Sequence, residues 1–113
     1  MAVEVPQNAI RELTTYVGIK IKERGFEDEA INERLLMLVE EVGELVKAVR
    51  KSNGMFVDVN REITSHIGEE LSDVLNMLFA VAIGLDIDLA QEFQSKEALI
   101  DQRTYQRSKV EIV

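Results

Sequence analysis

The chain has no cysteine and no tryptophan, a single histidine, one proline and only six glycines. Without cysteine there is no disulfide framework and no thiolate zinc site. With His66 alone, the two Glu-x-x-His pairs of a di-iron helical bundle cannot be built. The shortage of proline and glycine leaves long helices almost uninterrupted. Basic residues are also few, 13 against 21 acidic ones, for a net charge of -8. They cluster only as Lys20-Ile21-Lys22-Glu23-Arg24 and Arg50-Lys51, so a nucleic-acid backbone is not an expected partner. The longest mostly apolar run, Val74 to Leu85, is shorter than the roughly 20 residues that cross a bilayer, so no membrane partner is expected either. No Lys- or Arg-led apolar leader opens the chain, and the expectation is a cytoplasmic protein. Runs of β-branched residues alternating with polar ones are scarce, which argues against an all-β fold.

What is present is helical periodicity in a chain of 113 residues, a length that predicts one domain over 1–113. A loose tail is expected at Met1 to Val5. Pro6 suits a first turn. Ile10, Leu13, Thr14, Val17 and Ile21 predict a first helix over Pro6 to Arg24, stopped by Gly25. A second helix is expected from Asp28, its cap, to Ser52. Its apolar stripe is Leu35, Leu38, Val39, Val42, Leu45, Val46 and Val49. Met55 to Asn60 has mild strand character and no visible partner. A third helix is expected over Arg61 to Gly84, capped by Asp58 or Asn60 and apolar nearly all round in its second half. Asp88 with Gln91 reads as a capping box for a fourth helix over Leu89 to Gln106, with Ala90, Phe93, Ala98 and Leu99 inward. Ser108 to Val113 is read as a tail or a partner contact. The fold class is all-α, an antiparallel four-helix bundle. The third helix has more apolar surface than so small a bundle covers, so a dimer or dimer of dimers is expected.

Set into these helices are carboxylates three residues apart. Glu41 and Glu44 form E-x-x-E on the second helix, and Glu70 and Asp73 form E-x-x-D on the third. Such pairs share one helix face. Taken singly, a pair of this kind is ordinary on a solvated surface, and Glu27, Asp28, Glu29, Glu92 and Glu97 need no function. Glu41 and Glu44, however, border Met37 and Ala48, and Asp73 runs straight into apolar sequence. No Lys or Arg is read on the inner sectors. Four carboxylates aimed at one place need a cation, and all-oxygen donors suit Mg²⁺, with Mn²⁺ as the alternative. His66 reads as a partly exposed polar residue, and Met37 and Met77 as core filler.

Glu40 to Leu45, E-E-V-G-E-L, followed by Glu69 to Leu75, E-E-L-S-D-V-L, resembles the MazG-like nucleotide pyrophosphohydrolases of the all-α NTP pyrophosphatase superfamily. The likeness spans roughly Ile10 to Tyr105. It implies Mg²⁺-dependent hydrolysis of a nucleoside triphosphate, with deoxynucleotides as the expected substrates, to the monophosphate and pyrophosphate, as nucleotide-pool house-cleaning. By position, Glu41, Glu44, Glu70 and Asp73 would hold the metal. Glu40 and Glu41 would serve catalysis, with Glu40 holding a second ion or orienting the water. Asn76 would reach sugar or base, and Lys96, Arg103 and Tyr105 would contact phosphate or base. Many relatives carry Asn where this chain has Asp101, and a tryptophan near the nucleotide; here either Tyr16, Phe26 or Phe56 would substitute for it or stacking would be weak. Two other readings stand beside this one: a helical oligomerisation or regulatory module without chemistry, and a phosphoribosyl-ATP pyrophosphohydrolase.

Overall fold

A computed structural model describes residues 3–59 and 66–109. These form four helices and no strand: α1 (Gln7–Glu23), α2 (Ile31–Ser52), α3 (Ile67–Gly84) and α4 (Leu89–Asp101). The tails expected at Met1 to Val5 and Ser108 to Val113 fall partly outside the described residues, as do Asn60 and Arg61 as the start of the third helix.

Local chemistry accounts for most of the boundaries. Gly25 takes φ +78 after α1, and the Phe26 N–H donates to the Ile21 carbonyl at 2.9 Å, closing a Schellman turn. Asp28 does not cap α2. The chain runs on to Ala30 in extended backbone, and α2 begins at Ile31 without a side-chain cap. Asp58 does not cap α3 either. His66 is extended, and its Nδ1 accepts the Gly68 N–H at 3.2 Å, so the helix starts at Ile67. Asp88 caps α4 as expected by accepting the Gln91 N–H. The Gln91 side chain turns instead to Ser95. The fourth helix ends at Asp101, five residues before the expected Gln106, which leaves Arg103 and Tyr105 beyond it.

α2 packs along α3, and α1 packs on α3 and α4. Arg11 pairs with Asp88 at 3.6 Å, and Gln7 bonds to Gln94, which ties α1 to α4. On α2 the residues Arg34, Leu38, Glu41, Leu45 and Ala48 recur at intervals of three and four and share one face. All five are buried or half-buried. The expected apolar stripe is therefore divided. Leu38 and Leu45 turn inward, whereas Leu35, Val39, Val42, Val46 and Val49 are exposed, Val39 by 70%. A stripe that broad cannot meet a single helix. On α3, Met77, Phe79, Ala80 and Ala82 are buried, but Leu71, Leu75 and Leu78 are not, so the helix is not buried all round. On α4 only Ala90 is buried; Phe93, Ala98 and Leu99, expected inward, are exposed, since α4 packs mainly on α1. The radius of gyration is 18.3 Å, against about 13 Å for a compact domain of this length.

Candidate functional site

The packing of α2 on α3 brings Glu41, Glu70 and Asp73 together. Each offers one carboxylate oxygen, and the three lie within 4.8 Å of one another. Glu41 comes from the inner face of α2. Glu70 lies in the first turn of α3, where the helix N-terminus favours a negative charge. One turn on, Asp73 stands at the exposed edge of the same face.

The surroundings make this cluster electrostatically costly. Glu70 is only 8% exposed. Burial pushes its carboxyl above the ordinary carboxylate range, and Asp73, Glu44 and Glu69 push it further. Burial likewise raises the Glu41 carboxyl, with repulsion from Asp73, Glu70, Glu40 and Glu44 added to it. The ion pairs Arg11–Asp88, Lys20–Glu23 and Arg34–Glu29 reach none of the three. Three hard oxygen donors, close together and without nitrogen or sulfur ligands, are a donor set that fits a small divalent cation.

Glu44 was expected as a fourth member. It is half-buried and close enough to act on both Glu41 and Glu70, but it does not join the tight triple. Glu40 is exposed beside Glu41 and adds to its repulsion.

Next to the carboxylates lies a cavity of about 170 Å³. Phe26, Met37 and Met77 form an apolar wall, and Glu41 and Asp73 line the same space. Asn76 lines it too. A second, wider opening shares Arg24, Asp73 and Asn76 and adds Tyr16. Of the three aromatics considered as substitutes for tryptophan, Phe26 and Tyr16 thus border the openings. Phe56 is almost fully exposed and borders neither. Met77 is buried, as expected of core filler, whereas Met37 is partly exposed; both line the cavity.

Two arginines escaped the sequence reading. Arg24, placed only as a last-turn residue of the first helix, lines both openings. Arg34 is buried on the inner face of α2, at 4% exposure, so the inner sectors are not free of cations. Its helical phase beside Leu38 and Glu41 was the available signal. It does not neutralise the carboxylates, because it reaches the Ala80 carbonyl and Glu29 instead. Lys96, Arg103 and Tyr105 are exposed and line neither opening in the single chain.

Among protein families, the MazG nucleotide pyrophosphohydrolase domain matches residues 30–104, more than half of the chain. No curated protein and no solved structure matches it. The matched stretch holds all three clustered carboxylates as well as Arg34 and Asn76. A family that is typically metal-dependent accords with that donor set. The described helices include none long and apolar enough to cross a membrane. The chain belongs to the MazG nucleotide pyrophosphohydrolase family.

Proposed function

We propose that this chain is a single-domain, Mg²⁺-dependent hydrolase that converts a nucleoside triphosphate, preferably a deoxynucleotide, to the monophosphate and pyrophosphate. The observation that carries this reading is the triple of Glu41, Glu70 and Asp73 beside an apolar cavity that also holds an arginine and an amide. Glu41, Glu70 and Asp73 would hold the cation, with Glu44 as a fourth ligand. Mn²⁺ fits the same oxygens. When bound, the ion neutralises phosphate oxygens and acidifies water.

The protein's own groups do the rest. Glu40, exposed beside Glu41, orients the attacking water and takes its proton. Water oxygen bonds to the α-phosphorus, the bond to the bridging α–β oxygen breaks, and pyrophosphate leaves with that oxygen. No side-chain nucleophile is needed. Arg24 meets the phosphates as a charge-assisted donor. Asn76 hydrogen-bonds sugar or base, and Phe26 with Met37 and Met77 gives the base an apolar wall.

The working form is an antiparallel bundle assembled as a dimer or dimer of dimers. The pairing order supports the first part: Arg34 meets Ala80, Glu41 meets Asp73, and Glu44 acts on Glu70. The exposed stripe of α2 supports the second. In such an assembly Lys96, Arg103 and Tyr105 reach the nucleotide from a neighbouring subunit. The role is house-cleaning of the nucleotide pool in the cytoplasm, with no nucleic-acid partner.

The test is pyrophosphate release from a panel of dNTPs, NTPs and phosphoribosyl-ATP, with Mg²⁺ and with chelator. Metal-dependent release from a deoxynucleotide is expected. A preference for phosphoribosyl-ATP would replace the substrate assigned here. No release from any member would leave the helical regulatory module.

A further inference from the structure

Arg34 is the most buried charged side chain among the described residues, and it is not part of the carboxylate cluster. Its contacts join three elements. One terminal nitrogen donates to the Ala80 carbonyl on α3 at 2.9 Å. The other donates to the Phe26 carbonyl, in the link between α1 and α2, at 3.4 Å. Nε is buried without a hydrogen-bond partner, and Glu29 Oε1 lies 3.8 Å away. A buried guanidinium with an unmet donor is expensive, and an apolar side chain would pack there at lower cost. Stability alone does not explain it.

The backbone has made room for it. Gly84, the last residue of α3, is in helical conformation, and the left-handed position of the following turn falls to Asp86 at φ 55. An aspartate there is less favourable than glycine. A Cβ on Gly84 would lie 2.9 Å from a terminal nitrogen of Arg34 and 3.3 Å from Ile31 Cδ1. The glycine is thus used to seat the guanidinium, not to turn the chain.

What Arg34 holds is the link, and the link is a wall of the cavity. Arg24, at its start, and Phe26 and Glu29 within it all line the space shared with Glu41 and Asp73. Among the described residues, Arg34 supplies the side-chain hydrogen bond that reaches this link's backbone. We infer that Arg34, seated by Gly84, is a positioning residue that sets the substrate-binding wall without touching metal or substrate. The kinetic part of this inference rests on the hydrolase reading above.

Two substitutions test it. Arg34→Met removes the charge and the donors. Gly84→Ala keeps Arg34 but displaces its terminal nitrogen, and alanine favours the helix over glycine, so this variant folds even if the first does not. In both, KM for the nucleotide should rise roughly tenfold while kcat and the Mg²⁺ requirement stay within about twofold. By hydrogen exchange, the Phe26 and Glu29 amides should exchange faster, with those of Leu38 to Ala48 and Leu71 to Ala80 unchanged. Unmoved KM and unmoved link exchange would overturn the inference. So would faster exchange throughout α2 and α3, which would make Arg34 a packing residue only. If the unaltered chain releases no pyrophosphate from any nucleotide, the hydrolase reading fails by itself and link exchange still decides Arg34.

Discussion

Glu41 on α2 and Asp73 on α3 present carboxylate oxygens within 4.8 Å of each other, with Glu70 inside the same limit. After burial, Asp73 is the largest cause of the raised Glu41 pKa. Two carboxylates are held together by the packing of the helices that carry them, and a cation there would relieve their repulsion. The expected responses to metal, pH and substitution start from this arrangement.

Metal should stabilise the fold measurably. A cation present at a hundred times its Kd adds about 2.7 kcal/mol, which is several degrees in Tm. Thermal melts with chelator, Mg²⁺ and Mn²⁺ should show the rise. Glu70→Gln should melt higher than the unaltered chain in chelator and lose most of the metal-dependent rise. A metal response that survives Glu70→Gln, Glu41→Gln and Asp73→Asn would place the ion elsewhere.

The metal-free protein should lose stability as pH rises through the carboxylate range. Both Glu41 and Glu70 have native pKa values above their unfolded ones. The unfolded chain therefore ionises first, the native state binds more protons, and stability falls until the raised pKa values are passed. Glu23, held down by Lys20, contributes the opposite slope. The isolating measurement is urea unfolding of the unaltered chain against the Glu41→Gln/Glu70→Gln double variant. Their difference should be near zero at about pH 4, below the ordinary Glu pKa, and should favour the variant at about pH 7. A difference that does not change with pH would contradict the raised values.

Glu41→Gln and Asp73→Asn should each lower kcat/KM on the order of a hundredfold or more, because each removes a ligand oxygen charge. Glu44→Gln, outside the tight triple, should lose less. Steady-state pyrophosphate release at saturating Mg²⁺ reads the order. A greater loss at Glu44 than at Asp73 would show that the bound-metal geometry differs from the arrangement of the free carboxylates.

Arg24→Ala should weaken transition-state binding by roughly tenfold or more in kcat/KM, the worth of one charge-assisted hydrogen bond. Metal-induced stabilisation should be unchanged, since Arg24 lines the cavity and is not a ligand. An unaffected kcat/KM would remove Arg24 from the phosphate site.

Val39 and Val46 are 70% and 59% exposed on one face of α2. If that face is the subunit contact, light scattering of the unaltered chain should give a dimer or larger. Val39→Glu/Val46→Glu should shift it toward monomer, because two buried charges without partners are not tolerated at an interface. An unaltered chain that is already monomeric at micromolar concentration would dismiss the assembly.

By itself, the sequence determined the features that depend on near neighbours. Helix type follows from apolar spacing, the stop at Gly25 from a backbone conformation glycine adopts freely, and the Asp88 cap from a bond three residues away. The E-x-x-E and E-x-x-D spacings, and with them the family, are equally local. Helix starts were less legible. His66 takes the cap of α3 with a ring nitrogen, and α2 starts without any side-chain cap, so composition pointed wrongly to Asp58 and Asp28. The tertiary structure alone decided which neighbour each face meets. Helical phase puts Leu38 and Val39 in one broad stripe, but only the docking of α3 sends the first inward and leaves the second exposed. The same docking selects Glu41, Glu70 and Asp73 as the close triple and buries Arg34, and the tertiary fold brings Arg24 and Phe26 to the cavity that Glu41 and Asp73 line. Phase along one helix is a short-range property, whereas these are contacts between segments far apart in the chain.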